Sequence, residues 1–150
     1  MAAISIGNNS LTSVNYSSKN KLNGKKNNLD RSILKLTEND RIQFNNCYQR
    51  GLTKYEAQDY QSALREFDRA IEINPAHIDA YICRGNVKDK LEDYQGAIVD
   101  YNQAIQIDST NSKAYHSRGN TLRKIGDNWG AITDYNKAIR LNSNYKFSQD

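Results

Sequence analysis

The sequence predicts an all-α solenoid built from three antiparallel helical hairpins. Three observations predict it. The pair Arg50-Gly51 recurs as Arg84-Gly85 and Arg118-Gly119 at a constant interval of thirty-four residues. Each interval holds two stretches whose apolar residues return every three to four positions, the spacing of a helix that buries one stripe. The chain ahead of the repeats has neither feature. A self-similar unit of this length is a single supersecondary element that cannot bury its apolar face alone, so copies must stack.

Residues 1–39 read as a disordered basic tail and linker. Residues 1–29 contain four lysines (Lys19, Lys21, Lys25, Lys26) and no acid, and their Asn, Ser and Lys residues lack the apolar period a core needs. The net charge of +4 belongs to this tail, because the remainder is balanced at 17 basic and 17 acidic residues. The pI of 9.0 is therefore no argument that the repeats bind nucleic acid. The apolar cluster Ile33-Leu34-Lys35-Leu36 could dock on the first hairpin or remain linker.

In the first helix of the middle unit, Ala80, Tyr81, Val87 and Leu91 form the apolar side. Its expected start is Asn74 as N-cap with Pro75 in the first turn, where a missing N–H is harmless. By the same register Asp40, Asp108 and Asn142 would cap the corresponding helices. Second helices should begin at Asp59, Asp93 and Asp127, carboxylates that also suit the positive end of the helix dipole. Behind them run Ala63, Phe67, Ala70, Ile71 and their counterparts Ala97, Tyr101, Ala104, Ile105 and Ala131, Tyr135, Ala138, Ile139. Glycine inside a helix costs about 1 kcal/mol relative to alanine. Its return at 51, 85 and 119 therefore asks for close helix approach, expected opposite Ala63, Ala97 and Ala131. Gly96 and Gly130 are expected in the hairpin turns. Arg50, Arg84 and Arg118 stand at a fixed offset from Glu66, Asp100 and Asp134, which predicts one ion pair per hairpin, with partner binding by the arginines as the alternative.

With Tyr81, Gly85, Ala97, Tyr101 and Ala104, their counterparts in both neighbours and Pro75 at one junction, the chain resembles the tetratricopeptide repeat family. The resemblance implies a right-handed solenoid with repeats at 44–77, 78–111 and 112–145, followed by a short tail at 146–150. It departs at Cys47, at Ser109 and Ser143 in place of proline, and at Lys54 and Lys88, whose stems could cover the core.

The resemblance also implies a non-enzymatic protein–protein interaction module whose first helices line a concave groove. The implied groove residues are Asn45, Tyr48, Leu52 and Tyr55, then Asp79, Ile82, Cys83, Asn86 and Asp89, then Lys113, His116, Ser117, Asn120, Arg123 and Lys124. This gradation, apolar to cationic, suits a peptide or protein partner with acidic residues. Family members that grip the tails of heat-shock chaperones use a five-residue clamp. Here its positions hold Tyr48, Leu52, Cys83, Lys113 and Ser117, of which Lys113 alone matches, so chaperone tails are not expected as ligands. The alternative function is self-association, a homo-oligomer formed through Ile139 and Leu141 at the end of the last hairpin.

No catalytic, metal or cofactor site is expected. Cys47 and Cys83 have no metal-ligand spacing, His77 and His116 adjoin no nucleophile motif, and no glycine loop could cradle a phosphate. No run of residues is apolar enough for a membrane span. The expected compartment is the cytosol, with organelle targeting by the Ser-rich tail as the alternative.

Overall fold

Thr37 is where the described helices begin: its hydroxyl accepts the Asp40 N–H at 3.1 Å while the Asp40 carboxylate accepts the Thr37 N–H, a reciprocal capping box. The computed structural model describes residues 36–147, with side-chain surroundings up to Asn142. Residues 1–35, which hold the expected tail and most of the apolar cluster, and residues 148–150 lie outside the described residues. Six helices follow in order: α1 (Glu38–Glu56), α2 (Tyr60–Ile73), α3 (Ile78–Lys90), α4 (Tyr94–Ile107), α5 (Ser112–Lys124) and α6 (Asn128–Phe147). They pair as the hairpins α1/α2, α3/α4 and α5/α6. Each later hairpin sets its first helix against the second helix of the one before, giving an all-α solenoid.

The carboxylates expected to start the second helices do so. Asp59 accepts from the Ser62 N–H at 3.2 Å, Asp93 from Gly96 at 2.9 Å and Asp127 from Gly130 at 2.9 Å. Gly96 and Gly130 thus sit in the first turn of their helices, not in the hairpin turns. Those turns place residues 58, 92 and 126 in the left-handed region, where Gly126 (φ 86°) is unstrained but Gln58 and Glu92 are not.

The first helices of the second and third hairpins begin later than the sequence suggests, whereas α1 begins earlier, capped by Thr37 and not by Asp40. Asn74 and Asp108 terminate α2 and α4, their N–H groups donating to Ala70 and Ala104, and each side chain accepts from the residue two further on. The caps of α3 and α5 are instead His77, whose Nδ1 accepts the Ala80 N–H at 3.2 Å, and Asn111, whose Oδ1 accepts that of Ala114 at 3.1 Å. Asp40 lies inside the first turn of α1, and Asn142 inside α6.

Alanines 63, 70, 80, 97, 104 and 114 are fully buried around Phe67, Tyr101 and Val87, and form the close helix contacts of the core. The helical glycines meet aromatic rings first; of the expected alanines, Ala131 is also met, its carbonyl oxygen lying 3.3 Å from where a Cβ on Gly119 would sit. A Cβ on Gly85 would lie 2.6 Å from Tyr101 Cε1, and one on Gly51 would lie 2.7 Å from Phe67 Cε1. Close approach is the reason for the glycines, with the ring one turn further along as the neighbour.

Arginines tie the hairpins together. Arg50 donates to Glu66 (2.8 and 3.0 Å), Arg84 to Asp100 (2.6 and 2.9 Å) and Arg118 to Asp134 (2.7 Å twice), each through Nε and one terminal nitrogen. The remaining terminal nitrogen reaches back to the previous hairpin: Arg84 to Asp68 at 2.8 Å, Arg118 to Asn102 at 2.6 Å. Lys88 does more than cover the core, because its ammonium lies 2.8 Å from the buried Asp100 carboxylate. Lys54 pairs with Asp59 at 3.8 Å.

Candidate functional site

Residues four apart on a helix share a face, so Ile82 and Asn86 of α3 and Lys113 and Ser117 of α5 each form a short row. These rows meet α6 around a cavity of about 610 Å³. It is lined by Ile82, Asn86, Ser112, Lys113, His116 and Ser117 and closed by Tyr135, Ala138, Ile139 and Asn142. The lining contains one ammonium and no carboxylate, so its electrostatics favour an anionic group. Hydroxyls and amides supply the remaining polarity. Ile82 is the buried apolar member of the α3 side of the lining.

Two asparagines are held in one orientation by tyrosines of the second helices. Tyr101 Oη donates to Asn86 Oδ1 at 2.9 Å, and Tyr135 Oη donates to Asn120 Oδ1 at 2.8 Å. Burial pushes the Tyr101 hydroxyl well above its usual titration range, which keeps it a donor. With each Oδ1 occupied, the Nδ2 groups remain as donors; that of Asn120 lies 3.4 Å from His116 Nδ1. An amide fixed this way can donate to a peptide carbonyl or carboxylate without first reorienting.

Other expected groove residues form separate groups. Asp89 accepts from Thr121 Oγ1 at 2.7 Å and pairs with Lys124, whose ammonium also lies over the Tyr94 ring. The cationic end of the gradient is thereby reduced to Lys113 and Arg123, with His116 beside them. Tyr48 stacks with Phe44 and meets the His77 ring at a tilt, and its hydroxyl lies 3.6 Å from Cys83 Sγ. Burial raises the Cys83 thiol above its ordinary range and so keeps it protonated. Leu52 and Tyr55 pack around Ala63, Phe67 and Val87, and Tyr55 lies against Tyr60. Asn45, Asp79 and Arg123 are exposed and outside the cavity lining. Of the two expected self-association residues, Ile139 is 63% exposed and Leu141 is partly buried.

The contribution of α6 to the cavity was missed from sequence. A signal for it exists: Phe67, Tyr101 and Tyr135 vary together with Leu52, Asn86 and Asn120, a hydroxyl appearing only where an amide can receive it. Among the described residues no group of three or more His, Cys, Asp or Glu side chains could hold a metal ion, and no helix is long and apolar enough to cross a membrane.

Family models described as tetratricopeptide repeat match residues 44–77 and 112–145, and one described as TPR repeat matches residues 90–126. No curated protein sequence matches the chain. Among solved structures, MamA is similar at 26% identity and TM-score 0.66, over 69% of this chain and 60% of that one, so the chain spans less than two thirds of MamA's length. The Arabidopsis OM64 TPR domain is similar at 25% identity and TM-score 0.67, over 70% of this chain and 87% of the domain. The second TPR domain of human RPAP3, in complex with the HSP70 peptide SGPTIEEVD, is similar at 25% identity and TM-score 0.65, over 68% and 85%. That neighbour corrects one expectation from the sequence. A domain of this fold holds a chaperone-tail peptide, so the mismatch of Tyr48, Leu52, Cys83 and Ser117 to one clamp pattern does not exclude such tails as ligands. The scaffold presents a whole helical face, and a ligand can engage it through more than five positions.

Proposed function

The chain belongs to the tetratricopeptide repeat family, and on that basis we propose that it is a non-enzymatic protein–protein interaction module that holds an acidic peptide segment of its partner across α1, α3 and α5. One observation carries the reading: the cavity of about 610 Å³ has Lys113 in its wall and no carboxylate. A side-chain or terminal carboxylate of the peptide would pair with Lys113, while Asn86 and Asn120 donate to its backbone. Tyr48, Leu52 and Tyr55 would receive apolar residues on the far side. Arg123 would add positive potential, His116 would offer a ring nitrogen for a hydrogen bond, and Asp79, Asp89 and Lys124 would set register at the edge. Proteins of this family typically act as such modules, and the acidic peptide SGPTIEEVD on the RPAP3 neighbour makes acidic carboxy-terminal peptides the first ligands to try.

Fluorescence anisotropy with labelled SGPTIEEVD and a Glu→Gln version of it tests the proposal. The acidic peptide should bind, the neutral one should bind at least tenfold more weakly, and Lys113→Ala should reduce the difference. Equal binding of both peptides, or no effect of Lys113→Ala, would reject it. A cytosolic setting is part of the same proposal, and fractionation of cells expressing the full chain checks it. Self-association through Ile139 and Leu141 is the second reading, favoured by the 63% exposure of Ile139. A solution mass that rises with concentration would support it.

A further inference from the structure

Each hairpin pairs one carboxylate of its second helix with the arginine of its first, and the three copies differ in what else that carboxylate meets. Glu66 has Arg69 at 3.5 Å besides Arg50. Asp100 has Lys88 at 2.8 Å besides Arg84, and its Oδ2 takes a hydrogen from each. Asp134 is 4% exposed and has Arg118 as its one cation among the described residues, its Oδ2 accepting the Arg118 Nε–H at 2.7 Å. Sequence register accounts for the difference. Leu122 stands where Lys88 does, and Lys137, the counterpart of Arg69, lies over the Tyr115 ring at 6.0 Å.

A leucine side chain stops well short of the reach of a lysine ammonium, and a cleft of about 330 Å³ opens beside it. Ile98, Asn102, Arg118, Leu122, Thr133 and Asp134 line this cleft at the junction of the second and third hairpins. Thirty-four residues earlier the same positions hold Leu64, Asp68, Arg84, Lys88, Val99 and Asp100, the set within which Lys88 reaches its carboxylate. Thr133 brings a hydroxyl where Val99 has none. Its proton is given to the Trp129 carbonyl at 2.9 Å, so its oxygen faces other donors as an acceptor. Asn102 Oδ1 accepts one Arg118 N–H at 2.6 Å and keeps a second lone pair, as does Asp134 Oδ2. Two aliphatic side chains beside three acceptor oxygens suit an alkyl chain that ends in an ammonium. Asn102 replaces Asp68, so such a group adds one positive charge to the cleft. Asn102 and Thr133 are exposed, and water at that rim screens the repulsion from Arg118, while the attraction is to a buried carboxylate.

We propose that this cleft between α4, α5 and α6 binds a lysine side chain presented by a partner protein. The methylene stem lies along Ile98 and Leu122, and the ammonium donates to Asp134 Oδ2, with the Thr133 and Asn102 oxygens as further acceptors. Lys88 on Asp100 is the internal version of the same contact. The cleft shares no lining residue with the cavity around Lys113 and takes a ligand of opposite charge, so its test is independent of the peptide-binding proposal.

The experiment is an NMR titration of the isotope-labelled full chain with Nα-acetyl-lysine N-methylamide, whose ends are neutral. The norleucine analogue, which keeps the stem and lacks the ammonium, is the control. The Arg118 Nε–H and the Gly130 and Thr133 amides report on the cleft. The lysine analogue should shift them saturably, and the norleucine analogue should bind about fivefold more weakly, the scale of a part-exposed ion pair. Leu122→Lys restores the residue that Lys88 represents, should fill the cleft from within and should abolish the response without lowering the unfolding midpoint. Thr133→Val, which recreates Val99, should weaken binding about threefold, the scale of one hydrogen bond, and provides the test should Leu122→Lys disturb the fold. Equal affinity for the two analogues, or the absence of a saturable shift, would overturn the proposal. So would an undiminished response in a folded Leu122→Lys variant, or shifts centred on the Lys113 and His116 amides, which would place the probe in the other cavity.

Discussion

The first hairpin and the second hairpin solve the same packing problem with different chemistry. In the first, Arg50 and Glu66 pair near the surface, the arginine side chain 53% exposed, and the ring facing Gly51 is Phe67 beside the apolar Leu52. In the second, Asp100 is 1% exposed and accepts from Arg84 and Lys88, and the ring facing Gly85 is Tyr101, bonded to Asn86. The difference follows from position. The second hairpin has a neighbour on each side, so its polar groups are taken from water and must be satisfied within the protein, whereas α1 has solvent to satisfy its own.

Removing one partner of each ion pair should give the largest contrast. Asp100→Ala leaves Arg84 and Lys88, 18% and 20% exposed, without their shared acceptor, and should cost about 3 kcal/mol in chemical denaturation, the scale of a broken buried pair. Glu66→Ala should leave the unfolding midpoint nearly unchanged, because water can replace the lost carboxylate beside Arg50. Equal losses in the two variants would show that burial does not separate these pairs.

A smaller effect tests the tyrosine and asparagine couple. Tyr101→Phe alone should destabilise by about 1 kcal/mol, since Asn86 Oδ1 loses its donor. Asn86→Leu alone should cost a similar amount by orphaning a buried hydroxyl. The double variant recreates the Phe67 and Leu52 arrangement of the first hairpin and should recover most of the loss. The coupling would therefore approach about 2 kcal/mol in a double-mutant cycle, the sum of the two single losses. Simple additivity would mean that the two residues are adjacent but energetically independent.

Much of this architecture could be read in the sequence because it repeats. The carboxylates at 59, 93 and 127 sit in an unambiguous register, and three arginines sixteen residues from three acids leave little choice of partner. The start of α3 was harder to read because Asn74 and Pro75 are chemically suited to begin a helix. Geometry decided otherwise: the Asn74 N–H completes α2, and its side chain turns the chain at Ala76. The cavity was half visible. Ile82, Asn86, Lys113 and His116, four residues that the resemblance implies for the groove, line the cavity together, but the Asp89 bonds to Thr121 and Lys124 fall off the thirty-four-residue grid. Pairings that cross hairpins at other intervals depend on how far one hairpin rotates on the next, which periodicity does not encode.

The smallest effect concerns the caps of α3 and α5, which differ between a titratable and a permanently neutral group. His77 Nδ1 accepts the Ala80 N–H while its ring lies 4.5 Å from Phe44. Burial holds its pKa below the usual 6.5, with Asp79 opposing the shift. Protonation would place a hydrogen on the accepting nitrogen and remove the cap. In the unfolded chain the same histidine takes up a proton near pH 6.5, so between that value and the lower folded one the unfolded state binds more protons and stability falls as the pH is lowered. The contribution is complete above pH 6.5 and is lost as pH drops toward and through the folded pKa. Asn111 performs the same capping on α5 without titrating. His77→Asn should therefore keep the helix start while flattening the decline in unfolding free energy between about pH 6.5 and 5, above the range where the carboxylates begin to dominate. A variant whose pH profile parallels the wild type would show that His77 is already protonated when folded, or that its cap contributes nothing measurable.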